Sequence, residues 1–214
     1  MQETEMLDIV NEAGEIIGVA SRGEVHGNNS LLHRVVHALV FDAAGNLILQ
    51  KRSMIKDVAP GKWDTSVGGH VDHGETIEAA LLREMREELD ITLDLTVAGP
   101  DKQPELMYSY IHSNSYESEL VHTYRYTHTG TIDFNRDEID EVRAWSLQEV
   151  RDNLNSGIFS DNFEDEFRKY LELIARLDCI QYKKAMEGFV PNQTHPQGEG
   201  RGTQPRRSPL DPHL

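Results

Sequence analysis

Three glutamates fall on one face of a predicted helix. The segment Thr76 to Leu89 has helical composition, and Thr76 is suited to cap its N-terminus. Glu84, Glu87 and Glu88 stand at positions i, i+3 and i+4, so their carboxylates share one surface. Each like-charge pair destabilises a helix by about 0.2–0.5 kcal/mol, so helix stability does not favour the array. A hard divalent cation such as Mg²⁺, which prefers oxygen ligands, would offset this repulsion.

The same helix carries an apolar stripe and two arginines. Leu82, Met85 and Leu89 recur at i, i+3 and i+7, which predicts a buried face pointing away from the carboxylates. On helix spacing alone, a solvated acidic surface relieved by Arg83 and Arg86 is favoured over a metal site, because surface helices are commonly charged. The residues that flank the helix decide between these two interpretations.

The flanking residues resemble the signature of the Nudix family. At the spacings of that signature, this chain supplies Gly69, Glu75, Arg83, Glu84, Met85, Glu87, Glu88 and Ile91. A pattern with this many fixed positions is far more specific than a glycine-rich loop alone. The resemblance therefore favours the metal site over the solvated surface.

One signature position departs from the family, because Asp90 stands where the family has glycine. That glycine follows the helix, where a left-handed C-terminal cap is expected. Aspartate is among the few other residues that adopt this conformation. We therefore predict a small loss of stability at Asp90 and an intact site.

The resemblance implies an α+β protein with mixed α/β layers: the Nudix fold, a mixed β-sheet flanked by helices, with the signature as a loop–helix–loop. It implies a Mg²⁺ or Mn²⁺ site whose ligands are Glu84, Glu87, Glu88 and the backbone carbonyl of Gly69. Glu75 and Arg83 would be structural and would hold those carboxylates in place.

The reaction that the resemblance implies is hydrolysis of a pyrophosphate bond in a small-molecule diphosphate, of nucleoside-diphosphate type or another organic kind. Metal ions would neutralise the diphosphate and orient a water, and a carboxylate would take its proton. That catalytic base is a signature glutamate, Glu138 or Glu141, the last two from an acidic stretch before Trp145. Nudix enzymes are often dimers, which makes a homodimer a further expectation.

Two basic residues lie at the end of a predicted strand, Leu47 to Arg52, and just after it. Arg52 and Lys56 are candidates for binding substrate phosphates, arginine by bidentate contact. Solvated charges at the end of a strand are an equal alternative. His37 alternates with apolar residues in the predicted strand Arg34 to Asp42, which predicts a hydrogen-bonded histidine inside the sheet.

A second resemblance is to isopentenyl-diphosphate isomerase, a Nudix-fold enzyme that does not hydrolyse its substrate. The matching residues imply a second metal site formed by His26, His33, His70, Glu117 and Glu119. Three histidines and two carboxylates form a suitable set of metal ligands, although a single surface histidine is ordinarily no ligand.

The catalytic cysteine of the isomerase is missing, since Gly68 occupies its position before Gly69-His70. Glycine has no side chain that could move a proton at carbon. The full glutamate array also favours a hydrolase over an isomerase. The remaining alternative is a non-catalytic Nudix-fold module that binds a ligand, against which the intact array argues.

Composition limits the partners. The formal net charge is −16, from 21 basic and 37 acidic side chains, which repels a phosphate backbone and excludes nucleic-acid binding by charge neutralisation. The single cysteine, Cys179, forms no intrachain disulfide, and no leader or membrane-spanning run is recognised. We therefore expect a cytoplasmic protein without membrane association.

The chain organisation predicts one domain with a polar tail. We assign residues 1–180 to the Nudix domain, which begins with a β-hairpin at about residues 5–22. Residues 181–190 are predicted as a linker. Proline and glycine replace large apolar residues from Pro191 onward, so residues 191–214 are predicted to be disordered.

Overall fold

The computed structural model describes residues 5–93 and 103–187 of the chain. Strands and helices alternate irregularly along these residues, as expected for an α+β protein. In chain order the elements are β1 Met6–Val10, β2 Ile16–Ser21, α1 Arg22–Val25, β3 Leu32–Phe41, β4 Leu47–Arg52, β5 Trp63–Asp64, β6 Val67–His70, α2 Ile77–Leu89, β7 Glu105–Ser113, β8 Ser118–Thr127, β9 Ile139–Trp145, α3 Leu147–Asn153 and α4 Asp161–Glu187.

The sheet is mixed and is organised around β3. This strand pairs antiparallel with β1, β4 and β6 and parallel with β8. The hairpin of β1 and β2 extends one edge, β7 pairs with β8, and β9 pairs with β4. The fold prediction of a mixed sheet flanked by helices is confirmed.

Successive side chains of β3 point to opposite faces of the sheet. Val36, Ala38 and Val40 are buried in the core against α2. The other face carries His33 and His37, which are also buried. One strand therefore supplies both the apolar support of α2 and polar groups on the opposite side.

Helix α2 is capped at both ends as the sequence predicts. The Thr76 hydroxyl accepts a hydrogen bond from the Ala79 amide at 3.2 Å. Asp90 adopts the left-handed conformation, with φ 53° and ψ 28°, and its amide donates to the last turn. The prediction that Asp90 acts as an altered C-terminal cap is confirmed.

The buried face of α2 differs from the predicted stripe. Leu81, Met85 and Leu89 are buried, whereas Leu82 is half-buried. Glu88 is buried as well, so the helix is turned to place one carboxylate inside the protein. The stripe prediction was wrong at Leu82 because a glutamate takes part of the inward face.

The chain divides into two units, Met1–Glu172 and Leu173–Leu214. The first contains every strand of the described residues, and in the second the described residues form the C-terminal part of α4. Residues 181–187, the start of the predicted linker, belong to that helix, and the predicted tail 191–214 lies outside the described residues. Among the residues described, no helix is long and apolar enough to span a bilayer.

The cap at Asp90 can be tested by substitution. Asp90→Val should lower the free energy of unfolding by about 1–2 kcal/mol, because a β-branched side chain is strained in the left-handed conformation that aspartate tolerates. Asp90→Gly should leave stability unchanged or raise it, because glycine has no Cβ. Urea unfolding followed by circular dichroism measures both, and equal midpoints for D90V and D90G would contradict the role of the cap.

Candidate active site

The three signature glutamates differ in their surroundings. Glu88 is 6% exposed, whereas the side chain of Glu87 is 47% exposed, and Glu84 lies between these extremes. All three line the same cavity, whose volume is about 590 Å³. The helix therefore presents one buried, one half-buried and one exposed carboxylate to a common space.

The close approach of Glu84 explains the signature glycine. Strand β6 passes α2 so closely that a Cβ added to Gly69 would overlap the carboxylate of Glu84. Any side chain at this position would displace that carboxylate from the cavity. Gly69 therefore serves the site by having no side chain, and its backbone stays next to the glutamate.

Arg83 ties the loop before α2 to the helix. Its Nε and Nη2 donate to both carboxylate oxygens of Glu75, at 3.1 and 2.8 Å, and Nη2 also donates to the His70 carbonyl at 2.9 Å. Its Nη1 donates to Glu84 at 2.5 Å. The hydrogen bonds to Glu75 are the main cause of a raised pKa of Arg83, so the guanidinium stays charged and orients Glu84.

Glu88 is held by two neutral donors. Its Oε2 accepts from the Gln50 side chain at 2.9 Å and from the Gly68 amide at 3.0 Å. Burial raises the pKa of Glu88 to about 8, and the nearby charge of Glu84 adds to this effect. Gln50 was not among the predicted site residues; its signal in the sequence is a polar residue directly after the apolar first half of β4.

A second group of ligand-type side chains lies on the other face of the sheet. His33, His70 and Glu119 each place one ligand atom within 4.8 Å of the other two. Their positions follow from the register, because His33 pairs with Glu119 between β3 and β8, while His70 ends β6. We refer to these three residues, together with His26 and Glu117, as the His/Glu cluster.

The outer members of the cluster lie close to the inner three. The His26 ring is tilted against that of His70, with ring centroids 5.3 Å apart, and its Nε2 lies 3.5 Å from a carboxylate oxygen of Glu117. Burial lowers the pKa of His26 and of His33 to about 4, so both rings are neutral at neutral pH. Neutral imidazole is the form that binds metals.

Two residues that the sequence did not single out orient the cluster. Glu5 accepts from His70 Nδ1 at 2.7 Å, and this hydrogen bond is the main cause of lowering the pKa of Glu5 to about 2. Asn162 donates to Glu119 at 2.6 Å. Both lie far in sequence from their partners, so no local pattern could reveal them.

The basic candidates face the same cavity. Arg52 donates to the Val58 carbonyl at 2.9 Å and to Asp64 at 3.3 Å, and Lys56 donates to Glu138 at 2.7 Å. Both basic side chains line the cavity with the signature glutamates. The structure thus brings together cations and carboxylates around one space.

Glu141, a candidate general base, does not reach this cavity. It is exposed on β9, whereas Glu138 lines the cavity. The pairing of β9 with β4 is irregular between Lys51 and Arg52, and the neighbouring Val142 packs against the core. Glu141 consequently points away from that core, and the acidic stretch contributes Glu138 in its place.

Comparisons with known proteins agree with this architecture. Residues 31–165 match the family model of the NUDIX domain. The chain is 35% identical to an uncharacterized Nudix hydrolase of Clostridium acetobutylicum, over 89% of this chain and 92% of the relative. It is 31% identical to an isopentenyl-diphosphate Delta-isomerase of Citrobacter koseri, over 69% of this chain and 81% of that protein.

A solved structure shows the same fold. The crystal structure of DR0079 from Deinococcus radiodurans has a TM-score of 0.65 and 27% sequence identity. The similarity covers 77% of this chain and 98% of that protein. The predicted resemblance to both the hydrolases and the isomerases is therefore confirmed at the level of sequence and fold.

The role of Arg83 predicts a stability difference between two arginines of α2. Arg83→Lys should lower the free energy of unfolding by about 2 kcal/mol, because lysine cannot form the bidentate contact with Glu75. Arg86→Lys is the matched control: the Arg86 side chain is 59% exposed and, within the described part of the chain, forms an ion pair with Glu87, so this change should cost under about 0.5 kcal/mol. Chemical denaturation measures both, and equal losses would contradict the assignment.

Proposed function

Because the chain belongs to the Nudix family and is a Nudix hydrolase, we propose that it hydrolyses the pyrophosphate bond of a small organic diphosphate in a metal-dependent reaction. The substrate is of nucleoside-diphosphate type or another organic diphosphate. One observation carries this proposal: the intact glutamate array faces a cavity of about 590 Å³ that is also lined by Arg52 and Lys56. The glutamate array supplies metal ligands, and the two basic side chains attract phosphate.

The residues of α2 fit a hard divalent cation. Glu84, Glu87, Glu88 and the carbonyl of Gly69 offer oxygen donors only, which suits Mg²⁺ or Mn²⁺. The close approach of Glu84 to Gly69 keeps a side-chain carboxylate beside the backbone of β6. When bound, the cation would neutralise diphosphate charge and make the phosphorus more susceptible to attack.

The His/Glu cluster fits a second cation. His33 Nε2 is buried without a hydrogen-bond partner among the described residues, which is costly for a polar atom unless a ligand satisfies it. Neighbouring His70 and Glu119 direct further ligand atoms to the same place. We infer that this cluster holds a divalent metal with mixed nitrogen and oxygen ligands.

The basic and acidic side chains of the cavity have separate roles in this reaction. Arg52 and Lys56 bind phosphate oxygens and hold the substrate in the cavity. A carboxylate takes a proton from the attacking water while the water oxygen bonds to phosphorus and the bridging oxygen leaves with the other phosphate. We assign this base to the cavity carboxylates Glu84, Glu88 or Glu138, and no longer to Glu141.

Turnover of a diphosphate panel tests the proposal. The panel contains nucleoside diphosphates, nucleotide sugars, dinucleotides, inositol pyrophosphates and isopentenyl diphosphate, each with Mg²⁺ and with Mn²⁺. Glu88→Gln should lower kcat about 100-fold or more, because it removes a metal-binding charge worth several kcal/mol in the transition state. Released phosphate or monophosphate is the measured product.

Glu78→Gln provides the matched control for that experiment. Glu78 lies in the first turn of the same helix, is exposed, and does not line the cavity, so this variant should retain wild-type turnover. The hydrolase proposal fails if the wild type cleaves no member of the panel. It also fails if Glu88→Gln keeps full activity, which would indicate a binding module or a different active site.

The second metal site predicts a gain in stability on metal addition. Mn²⁺ at 100 times its dissociation constant should stabilise the protein by about 2.7 kcal/mol for each site that is absent from the unfolded chain. His33→Gln should reduce this gain, and His122→Gln, which alters a histidine of β8 outside the His/Glu cluster, should not. Thermal unfolding with Mn²⁺ or with a chelator measures both; equal gains in H33Q and wild type would exclude the cluster as a site.

Isomerisation is the second candidate function, favoured by the geometry of the His/Glu cluster. Against it stands Gly68, which has no thiol, and a Cβ there would lie 3.1 Å from the His37 ring. We therefore expect isopentenyl diphosphate to undergo hydrolysis or no reaction. Conversion of this compound to its allylic isomer without phosphate release, followed by proton NMR, would favour the isomerase instead.

A further inference from the structure

His37 and Glu166 form a buried pair next to Gly68, and neither has a role in the proposed reaction. His37 Nδ1 is 3.0 Å from Oε1 of Glu166, which comes from α4. The Thr123 hydroxyl donates to the same oxygen at 2.7 Å. Glu166 is fully buried, and its second oxygen, Oε2, has no partner among the described residues. This carboxylate therefore depends on His37 for charge compensation.

The pair favours a charged imidazole. A buried carboxylate without a cationic partner is strongly destabilising, so the fold gains from a proton on His37. Burial alone would lower the pKa of His37, but the charge and hydrogen bond of Glu166 outweigh it and raise that pKa to about 9. With Nδ1–H donated to Glu166, the imidazolium has one donor left, Nε2–H.

That remaining donor faces the cavity. His37 lines the cavity together with Gly68. A Cβ on Gly68 would lie 3.2 Å from His37 Nε2, which is tighter than an ordinary contact, so glycine keeps a side chain from crowding this atom. Nε2 makes no hydrogen bond to any residue that the structure describes. A histidine predicted to be satisfied within the sheet thus has one satisfied and one unsatisfied nitrogen.

The backbone beside this donor also holds a signature glutamate. The amide of the same Gly68 donates to Glu88, so His37 stands next to the backbone that holds a signature glutamate. His37 also shares a face of β3 with His33, which belongs to the His/Glu cluster. Glu119 and Asp64 also lie close enough to act electrostatically on His37, so a bound phosphate would share this cation with them.

We propose that His37 is a substrate-binding residue whose Nε2–H donates a hydrogen bond to a phosphate oxygen of the diphosphate, with Glu166 as the positioning residue behind it. This inference rests on the proposed function, since it takes the cavity ligand to be a diphosphate. The phosphate oxygen would reach His37 from the cavity that both His37 and Gly68 line. The two features together form a phosphate subsite on β3 and β6.

Binding of methylenediphosphonate, a diphosphate analogue that water does not cleave, tests this subsite without requiring turnover. Calorimetry with the full chain and Mg²⁺ should show His37→Asn weakening binding about 10- to 100-fold, the effect of one charge-assisted hydrogen bond. Glu166→Gln should weaken binding as well, although it does not line the cavity. His122→Asn, on β8 outside the cavity, should bind as the wild type does.

A double variant separates binding from folding. His37→Leu with Glu166→Met removes both charges together, which often leaves stability nearly unchanged where a single change would not. The proposal is supported if this variant unfolds at the wild-type temperature and binds the analogue at least about tenfold more weakly. It is overturned if the folded double variant or Glu166→Gln binds within twofold of the wild type, or if the wild type does not bind the analogue.

KM and kcat, measured separately, distinguish a residue that binds substrate from one that only supports the fold. On the best substrate of the panel, His37→Asn should raise KM with little change in kcat, the pattern of a lost contact made equally in ground and transition states. Failure of the hydrolase proposal shows itself separately, as an enzyme that binds methylenediphosphonate but cleaves no diphosphate. Wild-type KM in His37→Asn would overturn the subsite while leaving hydrolysis established.

Discussion

The bidentate ion pair between Arg83 and Glu75 fixes the loop before α2, and the geometry of the site depends on it. The same guanidinium reaches the carbonyl of His70 and the carboxylate of Glu84. One planar group thus connects the end of β6, the loop and the helix. Without it, the loop could move away from α2, and the carboxylate lying against Gly69 would lose its orientation.

The site concentrates acidic groups in places where water cannot stabilise them. Glu88 and Glu117 are buried, and burial raises the pKa of each, to about 8 and about 7 respectively. Such perturbed groups are common at functional sites, because folding alone gives no reason to bury them. Their energetic cost is consistent with a resident cation, whereas Glu166 has its compensating charge within the chain, at His37.

The signature helix and its caps could be predicted from local sequence because spacing and capping are local properties. Thr76 and Asp90 occupy the expected cap positions, and the signature residues meet as their spacing requires. The inward turn of α2 toward Glu88 could not be predicted, since it depends on Gln50 and Gly68 from other elements.

The partners of the other polar groups also come from distant parts of the chain. Glu5, just before β1, meets His70 at the end of β6, and Glu166 reaches His37 from a helix more than a hundred positions later. A single sequence shows alternating or helical patterns but not which strand lies beside which. The placement of the acidic stretch has the same origin: Glu141 pairs with Lys51 of β4 and does not line the cavity, whereas Glu138, just before β9, does.

The register of β3 against β8 has a consequence for how this protein can change. Inserting or deleting a single residue before Val35 would turn His33 out of line with the rest of the strand, away from Glu119. A shift of the whole strand would instead exchange the apolar residues under α2 for the histidines of the opposite face. The core and the polar site are therefore coupled, because alternate residues of β3 face opposite sides of the sheet. Related chains can diverge here by substitution but not by a change in length.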